Sequence, residues 1–128
     1  RPLTPEDKKE YKDLLKQGYV APTKMEIFTC NVDGSDMKQI THLGKANWAP
    51  CYTPGGKIIF SSNAKSDKGF NFQLYTINTD GSGLEQITYS SIFNSFPMFS
   101  PDGKFLAFSS NRHGIGHDTN VFITEWKE

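Results

Sequence analysis

An internal repeat constrains this sequence more than any other feature. Residues 27–41, IFTCNVDGSDMKQIT, align without gaps on residues 74–88, LYTINTDGSGLEQIT, at an offset of 47, with eight of fifteen positions identical. The register continues as Ala49-Pro50-Cys51-Tyr52-Thr53-Pro54-Gly55-Gly56-Lys57 falls on Phe96-Pro97-Met98-Phe99-Ser100-Pro101-Asp102-Gly103-Lys104. The offset then becomes 48, where Phe60-Ser61-Ser62-Asn63 meets Phe108-Ser109-Ser110-Asn111. A third start, Val121-Phe122-Ile123-Thr124, lies under Leu74-Tyr75-Thr76-Ile77. A repeat of this length is one supersecondary unit that buries its apolar faces only by stacking on its neighbours.

Each unit is written in short β-branched and aromatic runs punctuated by Gly and Pro, which predicts strands. Asp33-Gly34 and Asp80-Gly81 are expected to supply the positive-φ residues of tight hairpin turns. Pro54-Gly55-Gly56 and Pro101-Asp102-Gly103 preset a turn at Pro and close it at the last Gly. The complete unit is expected to carry strands near Ala49–Thr53, Ile58–Ser62, Phe72–Asn78 and Leu84–Thr88. Four antiparallel strands per unit predict an all-β fold of propeller blades. Counting from Met25 gives two strands of one blade, four of the next and three of the last, an incomplete β-propeller of about two and a quarter blades. Closure takes about four blades or more. The chain therefore reads as the C-terminal piece of a larger ring, and its start at Arg1 as a product of processing.

At these residues a resemblance enters. The units resemble the propeller repeats of the TolB family: an aromatic-Ser-Pro-Asp-Gly-Lys segment, a strand closing on Ser-Ser-Asn, and Asn-x-Asp-Gly-Ser are matched by Phe99–Lys104, Phe108–Asn111 and Asn78–Ser82. The likeness spans residues 25–128 and departs from the pattern at Gly55, where the family has Asp. It implies a non-catalytic module for protein–protein interaction in an exported or periplasmic setting. Two enzyme-related propellers carry similar repeats: metal-dependent oligosaccharide lyases, and the propeller attached to prolyl-oligopeptidase-type peptidases. They supply the alternative, a propeller that binds a carbohydrate or peptide in its channel.

Residues 1–24 differ in kind. Thr4-Pro5-Glu6-Asp7 offers an N-cap, a first-turn Pro and early acids, Tyr11, Leu14 and Leu15 share a face, and Gly18 stands as the stop signal. This predicts a short amphipathic helix in an inter-strand insertion, resting on the rim of the ring.

Composition excludes whole classes. Lys+Arg 14 against Asp+Glu 14 gives no net charge, which speaks against a general nucleic-acid binder. The longest apolar runs are strand-length, so no membrane-spanning helix is expected. Cys30 and Cys51 lack metal-site spacing and take the places of Ile77 and Met98, so both are expected as buried thiols rather than as a disulfide.

Candidate chemistry is sparse. Asn31–Asp36 begins like a calcium loop, but its second copy loses an acid and neither has a distal Glu, so both are expected to be turns without metal. His113 and His117 are four apart beside Asp118, yet Gly114 and Gly116 make the segment a loop. No G-x-S-x-G elbow or phosphate loop is present, and no cofactor is expected. The connections that lead into innermost strands open on one rim, where His42, Asn47, Trp48, Phe93, Asn94, Phe96, His113 and His117 are the candidate binding residues. A protein partner, the remaining blades of the parent propeller, or further copies of the chain are the expected partners. Phe28, Ile40, Ile59, Phe60, Leu74, Tyr75, Ile87, Phe99, Leu106, Phe108 and Phe122 are the expected core.

Overall fold

A computed structural model describes residues 4–18, 23–67, 69–116 and 118–128. Helix α1 spans Pro5–Lys16, and Thr4 caps it through a reciprocal pair: its Oγ1 accepts from Asp7 N at 3.1 Å while its N donates to the Asp7 carboxylate at 2.9 Å. The helix buries none of its residues, and among the described elements it packs against no strand.

The strands are β1 Phe28–Thr29, β2 Lys38–Gln39, β3 Asn47–Tyr52, β4 Ile58–Ser62, β5 Gln73–Ile77, β6 Glu85–Gln86, β7 Asn94–Phe99, β8 Phe105–Ser110 and β9 Asn120–Glu125. They form three antiparallel sheets, β1-β2, β3-β4-β5-β6 and β7-β8-β9. The sheets are the last half of one blade, a whole blade, and the first three strands of a third, so the incomplete propeller read from the repeat is the observed fold.

The middle blade shows why the units must stack. Its strands β4 and β5 are buried at every position, so both faces are covered. Ile58, Phe60, Tyr75 and Ile77 face backwards onto Ile27 and Ile40 of the first blade. Ile59 and Leu74 face forwards onto Leu106 and Phe108 of the third. Two-residue alternation thus sends successive side chains into two different interfaces. Burial also pushes the Tyr75 phenol above its ordinary range, with Tyr89 a lesser contributor.

The turns carry the repeat in atomic detail. Asn31 N donates to Ser35 O and Gly34 N to Asn31 O, both at 2.8 Å; Asn78, Ser82 and Gly81 do the same at 2.9 Å. These are three-residue loops ending in one left-handed Gly, not two-residue turns, because Asp33 and Asp80 keep negative φ while Gly34 and Gly81 lie at +83° and +86°. A Cβ on Gly81 would stand 3.0 Å from Ile40 O, so conformation and close approach to the preceding blade both require glycine there.

The change of offset from 47 to 48 also has a structural place. Thr53 N pairs with Lys57 O, but Ser100 N pairs with Phe105 O, so Lys104 is the extra residue, added in the turn between β7 and β8.

Core expectations fail at one end of the arc. Phe28 is 51% exposed although its counterpart Tyr75 is buried, and Cys30 is exposed where Ile77 is buried. Cys51 is half-buried rather than a core thiol, and both cysteines are free. The cause is position: Phe28 and Cys30 belong to the first blade, whose outer face has no neighbouring sheet among the described residues. Ile87, Phe99 and Phe122 are partly buried against the second interface.

Candidate functional site

The antiparallel order places the connections 40–46, 63–72, 87–93 and 111–119 at one end of the sheets and the hairpin turns at the other. At the connection end, the equivalent residues Glu26 and Gln73, Thr41 and Thr88, and Asn47 and Asn94 form a clasp that appears twice. Thr88 Oγ1 donates to Gln73 Oε1 at 2.7 Å and accepts from Leu74 N at 2.9 Å, while Asn94 Nδ2 donates to the same Gln73 oxygen at 2.9 Å. In the earlier copy Thr41 and Asn47 both donate to Glu26 Oε2, and Ile27 N donates to Thr41 at 2.8 Å. The clasp ties the two outer strands of one blade to the innermost strand of the next. Asn47 and Asn94, expected on the rim, are buried within it.

Each innermost strand carries a bulge after the clasp. Register slips between Trp48 and Cys51 and between Ser95 and Met98, with Ala49 at φ 49° and Phe96 at φ 54° ahead of a Pro. The bulge leaves Phe96 59% exposed. Behind it runs an aromatic row: Trp48 stacks on Phe72 at 4.5 Å, Phe72 meets Phe93 edge-on at 6.2 Å, and Phe93 meets Phe96 at 6.4 Å. Trp48 and Phe93 are thus half-buried packing residues, and Phe96 presents its ring outward.

Between the connections 87–93 and 111–119 lies an open cleft of about 450 Å³ lined by Ser90, Ser91, Ile92, Asn111, Arg112 and His113. Arg112 is fixed from below: Nη2 donates to Asn94 Oδ1 at 2.8 Å, Nε donates to Ser110 Oγ at 2.9 Å, and the guanidinium lies 4.9 Å over Phe108 and 5.6 Å over Phe122. Ile92 of the lining is exposed, as are Tyr89 and Ile115 in the two connections that flank the cleft. His113 belongs to it, whereas exposed His42 stands in the connection before β3. His117 lies outside the described residues. Among the described residues, no three His, Cys, Asp or Glu side chains gather as metal ligands.

Sequence reading missed Gln73, Ser91 and Arg112. The repeat held the signal: Glu26/Gln73, Thr41/Thr88 and Asn47/Asn94 share one offset, and Arg112 stands where the earlier unit has Ala64.

The opposite end carries the turn acids and also exposes Val32, Met37, Tyr52 and Leu84. Asp33 Oδ1 accepts from Ser35 N at 2.9 Å and Ser35 Oγ at 2.6 Å, and Asp80 accepts from Ser82 with the same two distances. Those hydroxyl bonds, followed by the backbone ones, hold both carboxyls below their ordinary range. The acids serve the turns themselves.

With this geometry the chain is similar to two solved structures. TolB from Agrobacterium tumefaciens superposes with a TM-score of 0.66 and 27% identity over 80% of this chain and 38% of that one. TolB from Acinetobacter baumannii gives 0.61 and 26% over 78% and 24%. The fold is TolB-like, and the chain spans well under half the length of either structure. No protein-family model and no curated protein matches it.

Proposed function

We propose that this chain is part of a non-catalytic propeller module whose connection rim binds a protein partner. The observation that carries the reading is the cleft at the connection end, with Arg112 ordered beneath it. The hairpin turns hold their acids in internal bonds, while Ile92 lines the cleft and Tyr89 and Ile115 are exposed in the two connections that flank it. Aromatic and aliphatic side chains beside an ordered Arg are the composition of a protein-binding surface. The TolB-like fold supports the same reading and, with it, the proposal of an exported or periplasmic setting. Residues 1–24 fit an insertion between two strands of the parent blade.

Site-directed photocrosslinking in cells tests the rim. A photoreactive residue at Tyr89 should give a discrete protein adduct, and the same group at Val32, on an exposed hairpin turn, should give none. Equal labelling from both ends would refute the assignment.

A further inference from the structure

The cleft at Arg112 departs from its counterpart in the preceding blade in three ways, and all three make it more polar. Arg112 replaces Ala64, Ser90 replaces Leu43 and Ser91 replaces Gly44. The last exchange is unfavourable to the fold. Ser91 sits at φ 64°, nearly the 68° of Gly44, in the left-handed region that costs a side-chain-bearing residue about 1–2 kcal/mol. His113, across the cleft, also lies there at φ 55°. The strain at Ser91 has an internal use, since its Oγ meets Asn94 Nδ2 at 3.4 Å and Ser110 Oγ at 3.3 Å; the cleft's own use lies with Arg112.

Arg112 indicates what the use is. Two of its five N–H groups are spent on Asn94 and Ser110, both neutral acceptors. The ion pair among the described residues is Lys38–Asp36, and no carboxylate reaches Arg112. A partly buried guanidinium, rigidly held over two aromatic rings and lacking a counter-charge, is preorganised for a planar anion. Deepening the rim reading and resting on it, we infer that the cleft receives a carboxylate of a partner polypeptide. Arg112 makes the forked contact, Ser90 offers a hydroxyl, and Ile92 and Tyr89 hold apolar neighbours of the acid. A polypeptide is favoured over a small acid because Tyr89 and Ile115, in the connections on either side of the cleft, add exposed apolar side chains to that of Ile92.

The full chain is titrated by fluorescence anisotropy with a labelled octapeptide of alternating Glu and Leu, with its Gln-Leu counterpart, and with N-acetylglutamate followed by amide NMR. The acidic peptide should bind at least about tenfold more tightly than the Gln peptide, and Arg112→Gln should abolish that difference. Ile92→Asp, at an exposed position, should weaken the acidic peptide more than its Gln counterpart, which covers the case of a misfolded Arg112→Gln. Equal binding of the two peptides, silence of both variants, or Ser91 and Arg112 Nε resonances that saturate with N-acetylglutamate before they do with peptide would overturn the inference. If Tyr89→Ser weakens both peptides alike while Arg112→Gln has no effect, the protein-binding rim stands and the carboxylate site falls.

Discussion

Arg112 Nη2 lies 2.8 Å from Asn94 Oδ1, whereas the equivalent Asn47 Oδ1 is buried without a donor among the described residues, where Ala64 occupies the place of the arginine. The two clasps are otherwise alike, and Glu26 adds a carboxylate to the incomplete one. Ala64→Arg should therefore supply the missing donor, with Phe60 and Tyr75 standing where Phe108 and Phe122 lie under Arg112. Hydrogen bonds to charged groups are worth about 1.5–3 kcal/mol, and a buried unmet acceptor costs about as much. We expect the variant to gain about 1–2 kcal/mol in urea unfolding, after the entropy of ordering a long side chain. A loss of stability would show that Asn47 Oδ1 is satisfied in solution.

Glu128 performs in one turn what Asp102 performs in another. Asp102 Oδ1 accepts from Ser100 Oγ at 2.6 Å and Lys104 N at 3.0 Å, which lowers its pKa through those two bonds in that order. The matching turn has Gly55 instead, and there the Glu128 side chain accepts from Thr53 Oγ1 and Gly55 N across the blade interface. Trp126, edge-on to Phe99 at 5.1 Å, anchors this strap. Any Cβ at position 55 would stand 2.3 Å from Glu128 Oε2. Gly55→Ala should displace the strap and lose about 1 kcal/mol, the usual worth of such bonds. Gly55→Asp should restore a local carboxylate, so that Glu128→Ala, costly in the wild type, costs nothing in that background. A double-mutant cycle without coupling would refute the exchange.

Acid should find the turns together. The carboxyls of Asp33, Asp80 and Asp102 all lie below the ordinary 3.8, and the bonds from Ser35, Ser82 and Ser100 are the largest cause in each case. A carboxyl with a depressed folded pKa stabilises the fold above its unfolded pKa, and that contribution disappears as pH falls through the folded value. Their contribution should be fully present and constant near neutrality and decline below about pH 4. Ser35→Ala and Ser82→Ala should move the Asp33 and Asp80 carboxyl resonances upward in an NMR titration; unchanged midpoints would refute the turn assignment.

Much of this architecture was legible because a repeat states each strand twice. The aligned Ile59–Phe60 and Leu74–Tyr75 positions gave the blade core, and the Pro-Asp-Gly and Asp-Gly-Ser segments gave the turns. Burial of the end blades was not legible, since equivalence fixes which way a side chain points but not what lies opposite. Phe28 matches Tyr75 and is exposed for want of a preceding blade. The site was hidden for the converse reason. Similarity drew attention to Asn47 and Asn94, which the fold uses internally, while the unmatched residues Ser91 and Arg112 form the cleft.

The outer faces of the arc are the remaining unbalanced feature. Val121 and Ile123 on β9 are each 71% exposed and Met98 is 67% exposed, although Leu74, the counterpart of Val121, is buried in the middle blade. Phe28 is the corresponding case on the first blade. Sheet faces of this kind are stable in water when a neighbour removes them from it, and contiguous apolar patches drive association. β9 also leaves one edge without a partner strand in this chain, a template for pairing. The 128-residue chain taken alone should therefore self-associate as concentration rises through the micromolar range. Val121→Lys combined with Ile123→Lys, both at exposed positions, should reverse this without unfolding the middle blade. Light scattering decides: a wild-type chain that stays monomeric across that range would mean that the end faces tolerate water, and neighbouring blades would not be needed to cover them.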